Sequence, residues 1–175
     1  DQGFGDHIMF SRYLPYLGER KINVGTREGL KSLFEANFSN INFVKYEELN
    51  PDVQTIFIAD LPYVLGMDFS EIPSSQGYLK SETAKIECDK LKVGFCWEAG
   101  SAAIRTMINR TINIRFFEKM LEMDEIQIYS FQKDDTLNGN ERYPQMINLA
   151  KDFADFSDTA AALMAMDVVV TVDTS

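Results

Sequence analysis

Apolar positions along this chain recur at two spacings, and the alternation between them sketches the fold. Near the start, Phe10, Tyr13, Leu14 and Leu17 fall at i, i+3, i+4 and i+7, one buried face of a helix. Gly3-Phe4-Gly5 reads as the loop before it and Asp6 as its N-cap, with Pro15 ending or kinking it. His7 then reads as a surface helix residue. A short strand is predicted over 21–24, followed by a helix capped by Thr26 and running to about residue 36. Further strands are predicted over 41–44 and 54–58, the latter ending at Ala59-Asp60-Leu61-Pro62. Strands separated by helical stretches argue for βα units and a parallel sheet.

From residue 72 to 90 the pattern dissolves into Pro, Ser, Gly and charge, which reads as a crossing between two lobes. The expected division is 1–79, a linker at 80–90, and 91–175. The second lobe opens with a strand over 91–97, with Cys96 as a buried small hydrophobe and Trp97 as core. A helix over 113–123 should bury Phe116, Phe117, Met120 and Leu121. Strands are predicted over 126–131 and 146–149. Asp155-Phe156-Ser157-Asp158 should cap a helix from 159 to 166. The β-branched run 168–172 reads as a strand buried on both faces, stopping on Asp173-Thr174-Ser175. That turn ought to cap a further helix, and the loop at Gly3 ought to follow a strand. The expectation is therefore a chain truncated at both ends, and the pattern leaves open whether a homodimer covers its unfinished sheet edge.

Charge narrows the partners. Seventeen Lys and Arg against 27 Asp and Glu leave a net charge of −10, which speaks against nucleic acid and anionic lipid. No apolar run approaches the roughly 20 residues of a bilayer span, and no signal-peptide pattern opens the chain, so cytoplasmic is the default localisation. One histidine and two unpaired cysteines, Cys88 and Cys96, make neither a zinc site nor a disulfide framework. Within this acidic chain, Lys133, Arg105 and Arg110 place positive charge in loops near strand ends or helix starts. Open α/β sheets bind ligands at the carboxyl ends of their strands, and helix N-termini favour anions. Pattern and spacing thus reach a two-lobed α/β protein that binds something anionic. They leave Asp6 open as cap or base, and Asp173-Thr174-Ser175 open as cap or ligand site.

Taken in order, several segments resemble one family. Gly3-Phe4-Gly5-Asp6-His7-Ile8-Met9-Phe10, with Arg12-Tyr13-Leu14-Pro15 behind it, resembles the opening loop and helix of bacterial glycosyltransferases related to the ADP-heptose:lipopolysaccharide heptosyltransferases (glycosyltransferase family 9). The similarity is to the branch often attached to tetratricopeptide repeats. Lys92-Val93-Gly94-Phe95-Cys96-Trp97 resembles the first strand of that family's second domain. Arg110-Thr111-Ile112 looks like its Arg-Ser-Ile helix entry, and Tyr129-Ser130-Phe131-Gln132-Lys133 like its Ser-Leu-Gln-Lys strand end. Asp155-Phe156-Ser157-Asp158-Thr159-Ala160-Ala161 and Val170-Thr171-Val172-Asp173-Thr174-Ser175 match the last two motifs.

The resemblance implies a GT-B architecture, two Rossmann-like domains facing across a cleft, with no metal or other cofactor. It implies transfer of a sugar from a nucleotide-diphosphate-sugar donor to a glycan or protein acceptor. Asp6 would be the general base on the acceptor hydroxyl. Arg110, Thr111, Gln132, Lys133, Asp173, Thr174 and Ser175 would lie on the donor side. Heptose as the sugar is not implied. The alternatives are a non-catalytic nucleotide-, glycan- or protein-binding module of degenerate GT-B fold and, with its fingerprint incomplete, an NAD-dependent enzyme.

Overall fold

The computed structural model describes residues 3–73, 77–99 and 110–174. The chain is an α/β protein with parallel sheets and divides into two compact units. The first comprises Asp1–Ser81 with Asp155–Ser157, the second Glu82–Ala154 with Asp158–Ser175.

In the first unit, helix α1 (Phe4–Ser11) and a 3-10 turn (Leu14–Leu17) lead to strand β1 (Ile22–Gly25). Helix α2 (Glu28–Asn37) crosses over to β2 (Ile41–Val44), which pairs with β1 in parallel, Ile22 opposite Ile41 and Gly25 opposite Val44. Leu30, Leu33 and Phe34 form the buried stripe of α2, at the helical spacing of one face. Phe34 and Phe38 meet Phe43 of β2 at centroid distances of 5.4 and 6.2 Å, so the crossover is locked by aromatic packing. Tyr13 and Leu14 complete this core, as their spacing requires.

Three expectations fail here. Helix α1 begins at Phe4 with Gly3 as N-cap, and Asp6 lies in its first turn, accepting the Gly3 N–H at 3.0 Å. Asp6 therefore acts from three residues inside the helix. Thr26 does not cap α2, whose N-cap is Arg27. Its N–H instead extends the ladder to the Val44 carbonyl at 2.9 Å, which draws the side chain inward. The 54–58 segment forms no strand. It has no pairing partner among the described residues, its side chains from Val53 to Phe57 are exposed, and it passes into a 3-10 turn (Ile58–Asp60). Helix α3 (Leu61–Val64) follows, with Pro62 in its first turn, where a missing N–H costs nothing.

The second unit is a four-stranded parallel sheet of order β5-β4-β3-β6, built from β3 (Leu91–Cys96), β4 (Ile126–Ser130), β5 (Ile147–Asn148) and β6 (Val168–Thr171). Between β3 and β4, a 3-10 turn (Ile114–Phe117) runs into helix α4 (Glu118–Leu121); α5 (Gly139–Arg142) precedes β5. Helix α6 (Phe156–Met164) begins in the first unit and ends in the second. Val93, Phe95, Trp97, Ile114, Ile128, Tyr143 and Met146 form the core, with Phe117, Met120 and Leu121 packed against it.

Three further corrections follow. Phe116 is 70% exposed, because the 113–123 segment opens as a 3-10 turn, whose tighter pitch rotates Phe116 outward while Phe117 faces Phe95 at 4.7 Å. Strand β6 is not buried on both faces. It pairs only with β3 at the edge of the described sheet, and Val168 and Val169 are exposed. The β-branched run suits a pleated strand wherever it sits, so it does not distinguish edge from centre. Helix α6 starts three residues early. Asp155 accepts the Ser157 N–H at 2.7 Å and Asp158 the Ala154 N–H at 2.8 Å, so the acidic pair supplies the expected caps at its first turn.

Candidate functional site

All four strands of the second unit run parallel, so their carboxyl ends share one edge of the sheet. At this edge lie the loops after β3, β4 and β6, carrying Arg110, Thr111, Gln132, Lys133, Asp173 and Thr174. Ser175 and Arg105 fall outside the described residues.

Gln132 holds the edge together. Its side chain is buried, and its Oε1 accepts the backbone N–H of Glu98 at 2.8 Å and of Trp97 at 3.1 Å, with the Cys96 thiol at 3.3 Å. Its Nε2 donates to the carbonyls of Asp134 at 3.0 Å and Glu98 at 3.3 Å. The amide has two donor hydrogens and one oxygen, so its bonding capacity is taken up inside the protein. Gln132 thus fixes the loop after β3 against the loop after β4. Burial pushes the Cys96 thiol up, keeping it protonated and non-nucleophilic.

Glu98 makes the second tie. It is 2% exposed, yet it is a carboxylate at the end of an apolar strand. One oxygen accepts from the Thr136 hydroxyl, the other from the Leu137 N–H at 3.3 Å. Further along the loop, Asp135 accepts the N–H groups of Gly139 at 2.8 Å and Asn140 at 2.7 Å and so caps α5. The loop after β4 is therefore pinned at Gln132, Thr136, Leu137 and Gly139. Gly139 is required there, since a Cβ would come within 2.6 Å of Trp97 Cζ2. Sequence reasoning missed Glu98; its one signal was a charge directly following an apolar strand.

On this frame sit the charged groups. Lys133 is exposed, and its ammonium donates to the Phe153 carbonyl, a partner carrying no formal charge. Arg110 reaches Asp173 at 3.5 Å across the edge, from the loop after β3 to the end of β6. Asp173 is 86% exposed in this pair, so its contribution to stability is small and water or a ligand can replace it. Thr111 Oγ1 accepts the Ala99 N–H at 3.4 Å, while Ile112 N–H donates to the Trp97 carbonyl at 2.9 Å, fixing 110–112 against β3. Val172 N–H donates to the Cys96 carbonyl, which sets the start of the Asp173-Thr174 turn. The structure thus brings Arg110, Lys133 and Asp173 to one edge as accessible charge, with Gln132 beneath them as a strut.

Asp6 belongs to the first unit, in the opening turn of α1. The neighbouring His7 is a correction to the sequence reading: it is 5% exposed, and its Nε2 lies 2.8 Å from the Tyr46 hydroxyl. Burial lowers its pKa below 6.5, reinforced by the nearby Arg27 charge and opposed by Asp6. A buried neutral imidazole has a stability consequence. As pH falls through 6.5, the unfolded chain takes up the proton first, so the contribution from His7 is present above 6.5 and is lost below it. The denaturation midpoint of wild type is expected to fall more between about pH 7.5 and 5.5 than that of His7→Gln. Parallel urea melts at the two pH values check this.

Among the described residues, no group of three or more His, Cys, Asp or Glu side chains is placed to hold a metal, and no helix is long and apolar enough to cross a membrane. Comparison with protein-family models, curated proteins and solved structures found no match.

Proposed function

We propose that this chain serves a GT-B glycosyltransferase resembling glycosyltransferase family 9, moving a sugar from a nucleotide-diphosphate donor to a glycan or protein acceptor. In this reading the second unit holds the donor and the first supplies the acceptor side. The observation that supports it is the gathering of Arg110, Lys133 and Asp173 at the carboxyl edge of one parallel sheet, where such sheets take nucleotides. Lys133 and Arg110 would neutralise charge growing on the departing diphosphate. Asp173 would have to release Arg110 for this, a small cost for an exposed pair. Asp6 would take the proton of the attacking hydroxyl as the anomeric carbon becomes cationic.

One observation favours a second reading. The Asp6 carboxylate already accepts the Gly3 N–H, an ordinary first-turn role. That suits a non-catalytic binding module of the same fold, in which Asp6 only holds the helix start.

Calorimetric titration of the chain with ADP-, GDP- and UDP-sugars tests the common ground, and binding of none removes both donor readings. For a pair that binds, Asp6→Asn separates them. An enzyme loses on the order of 10²-fold or more in turnover while donor affinity stays. A chain whose wild type binds donor but shows no turnover, with Asp6→Asn indistinguishable from it, is the binding module.

A further inference from the structure

Strands β1 and β2 are four residues each, and each carries an asparagine, a residue that strands disfavour. Asn23 and Asn42 are register partners, and Asn42 Nδ2 donates to Asn23 Oδ1 at 2.8 Å. Lys21 and Asn40 stand two residues before them, so the strand period of two puts all four on one face. The other face of β2 sends Ile41 and Phe43 into the core with Leu30 and Phe34 of α2. Parallel sheets are ordinarily covered on both faces, yet Lys21, Asn23, Asn40 and Asn42 are all exposed. A face that only had to be wetted would be better made of threonine, which strands favour.

These four side chains, with Ile22, line an open depression of about 380 Å³, a volume in the range of small-ligand sites. Adjacent strands lie about 4.8 Å apart and alternate residues about 6.6 Å, so the polar groups mark a rectangle on the scale of one sugar ring. Much of their bonding capacity is open among the described residues. Asn42 gives one amide hydrogen to Asn23, and Asn40 Nδ2 donates to the Gly18 carbonyl at 2.9 Å. That leaves both hydrogens of Asn23 Nδ2, the side-chain oxygens of Asn40 and Asn42, and the three donors of the Lys21 ammonium. Donors and acceptors stand side by side. A simple anion needs donors alone and a cation acceptors alone, whereas hydroxyl groups both donate and accept.

We propose that the polar face of the β1-β2 sheet binds a saccharide, through hydroxyl bonds to Asn23, Asn40 and Asn42 and an oxygen set against Lys21. The site lies within the first unit and does not rest on the sugar-transfer reading of the donor edge. Two asparagines side by side weaken a sheet this short, and local rules are broken in this way where a function is served. The bond between them holds both amides in one plane, ready for a pair of neighbouring hydroxyls.

The side-chain NH₂ signals of Asn23, Asn40 and Asn42 report this face in a ¹⁵N NMR spectrum. Trisaccharides of gluco, galacto and manno configuration, each in a neutral and a uronic-acid form, are titrated into the chain at constant ionic strength. Glycerol and acetate are the controls for hydroxyl and charge alone. The expected result is a saturable shift of these amides with at least one trisaccharide and none with either control. Tighter binding of the uronic form assigns an acidic glycan through Lys21, and equal or tighter binding of the neutral form assigns a neutral one. Replacing both Asn23 and Asn42 by Val is expected to weaken binding on the order of tenfold or more, read at Asn40, while raising the denaturation midpoint. Lys21→Ala with Asn40→Ala is expected to weaken it likewise and serves if the valine variant does not fold. Amides indifferent to every trisaccharide overturn the proposal. So do shifts reproduced by glycerol or acetate, or equal affinity in a folded variant.

Discussion

Replacing Gln132 with Ala is expected to remove about 3–5 kcal/mol from the stability of the second unit, a large share of what a domain of this size has. The side chain touches no solvent of consequence, so exposed charge has no part in the effect. Its loss leaves the buried N–H groups of Trp97 and Glu98 without their acceptor and takes one donor each from the carbonyls of Glu98 and Asp134. Each such group costs about 1–3 kcal/mol when left unsatisfied, and relaxation of the loop recovers part of the sum. Gln132→Met, nearly equal in volume, isolates the hydrogen bonds from the cavity and is expected to retain at least half the loss. Urea unfolding followed by Trp97 fluorescence measures both, since Trp97 is the chain's one tryptophan. A loss below about 1 kcal/mol for Gln132→Ala would show that the two loops hold their positions without it.

Trp97→Ala is expected to be as severe, about 3–5 kcal/mol, by a different cause. The indole is fully buried between Phe95, 5.4 Å away between ring centroids, and the backbone at Gly139, which is packed too closely for any side chain. Neighbours that rigid cannot collapse into the space, so the cavity persists and its cost is near the upper end. Among the described residues the indole N–H has no hydrogen-bond partner, so Trp97→Phe forfeits volume but no hydrogen bond seen there. It should therefore cost less than half as much as the alanine. Because Trp97 continues directly into Glu98, the alanine variant should also speed hydrogen exchange at Leu137, whose N–H donates to the Glu98 carboxylate. Thermal unfolding by circular dichroism and exchange measured on the full chain test the two parts separately.

What the sequence made legible was local. Runs such as Ile41-Asn42-Phe43-Val44 and Ile126-Gln127-Ile128-Tyr129 combine β-branched and aromatic residues, and they form strands where expected. Their alternation with helices gave the parallel pairing. The acidic pair Asp155 and Asp158 announced a helix start, because carboxylates satisfy first-turn N–H groups wherever they stand. Properties set by distant neighbours did not show. Val168 and Val169 read as core, but nothing in a valine run says how many strands flank it. Ile56 and Phe57 read as a strand, but a strand needs a partner and theirs is missing among the described residues. His7 read as surface because Asp6 precedes it, whereas Tyr46, 39 residues on, covers it.

The site was legible in composition more than in role. Arg110, Lys133 and Asp173 were marked by charge in loops, and three parallel strands bring their loops to one edge. Gln132 stood in the same motif as Lys133, yet the two do opposite things: one is consumed by the fold and the other faces water. No spacing rule separates them, because the difference lies in which side of a turn meets the end of β3. Glu98 was invisible for the same reason. Its partners Thr136 and Leu137 are 38 and 39 residues away, and only the β3–β4 pairing brings them within reach.

The central claim is that the carboxyl edge of the β5-β4-β3-β6 sheet is where an anionic nucleotide docks. Amide chemical-shift mapping of the full chain with ADP, GDP and UDP tests it most directly. The account predicts that at least one of them perturbs Glu98, Ala99, Arg110, Thr111, Lys133, Asp173 and Thr174 together, and that Lys133→Ala weakens that response. Perturbations confined to the opposite edge, in the depression lined by Lys90, Glu122, Gln127 and Gln145, would contradict it, as would silence with all three nucleotides.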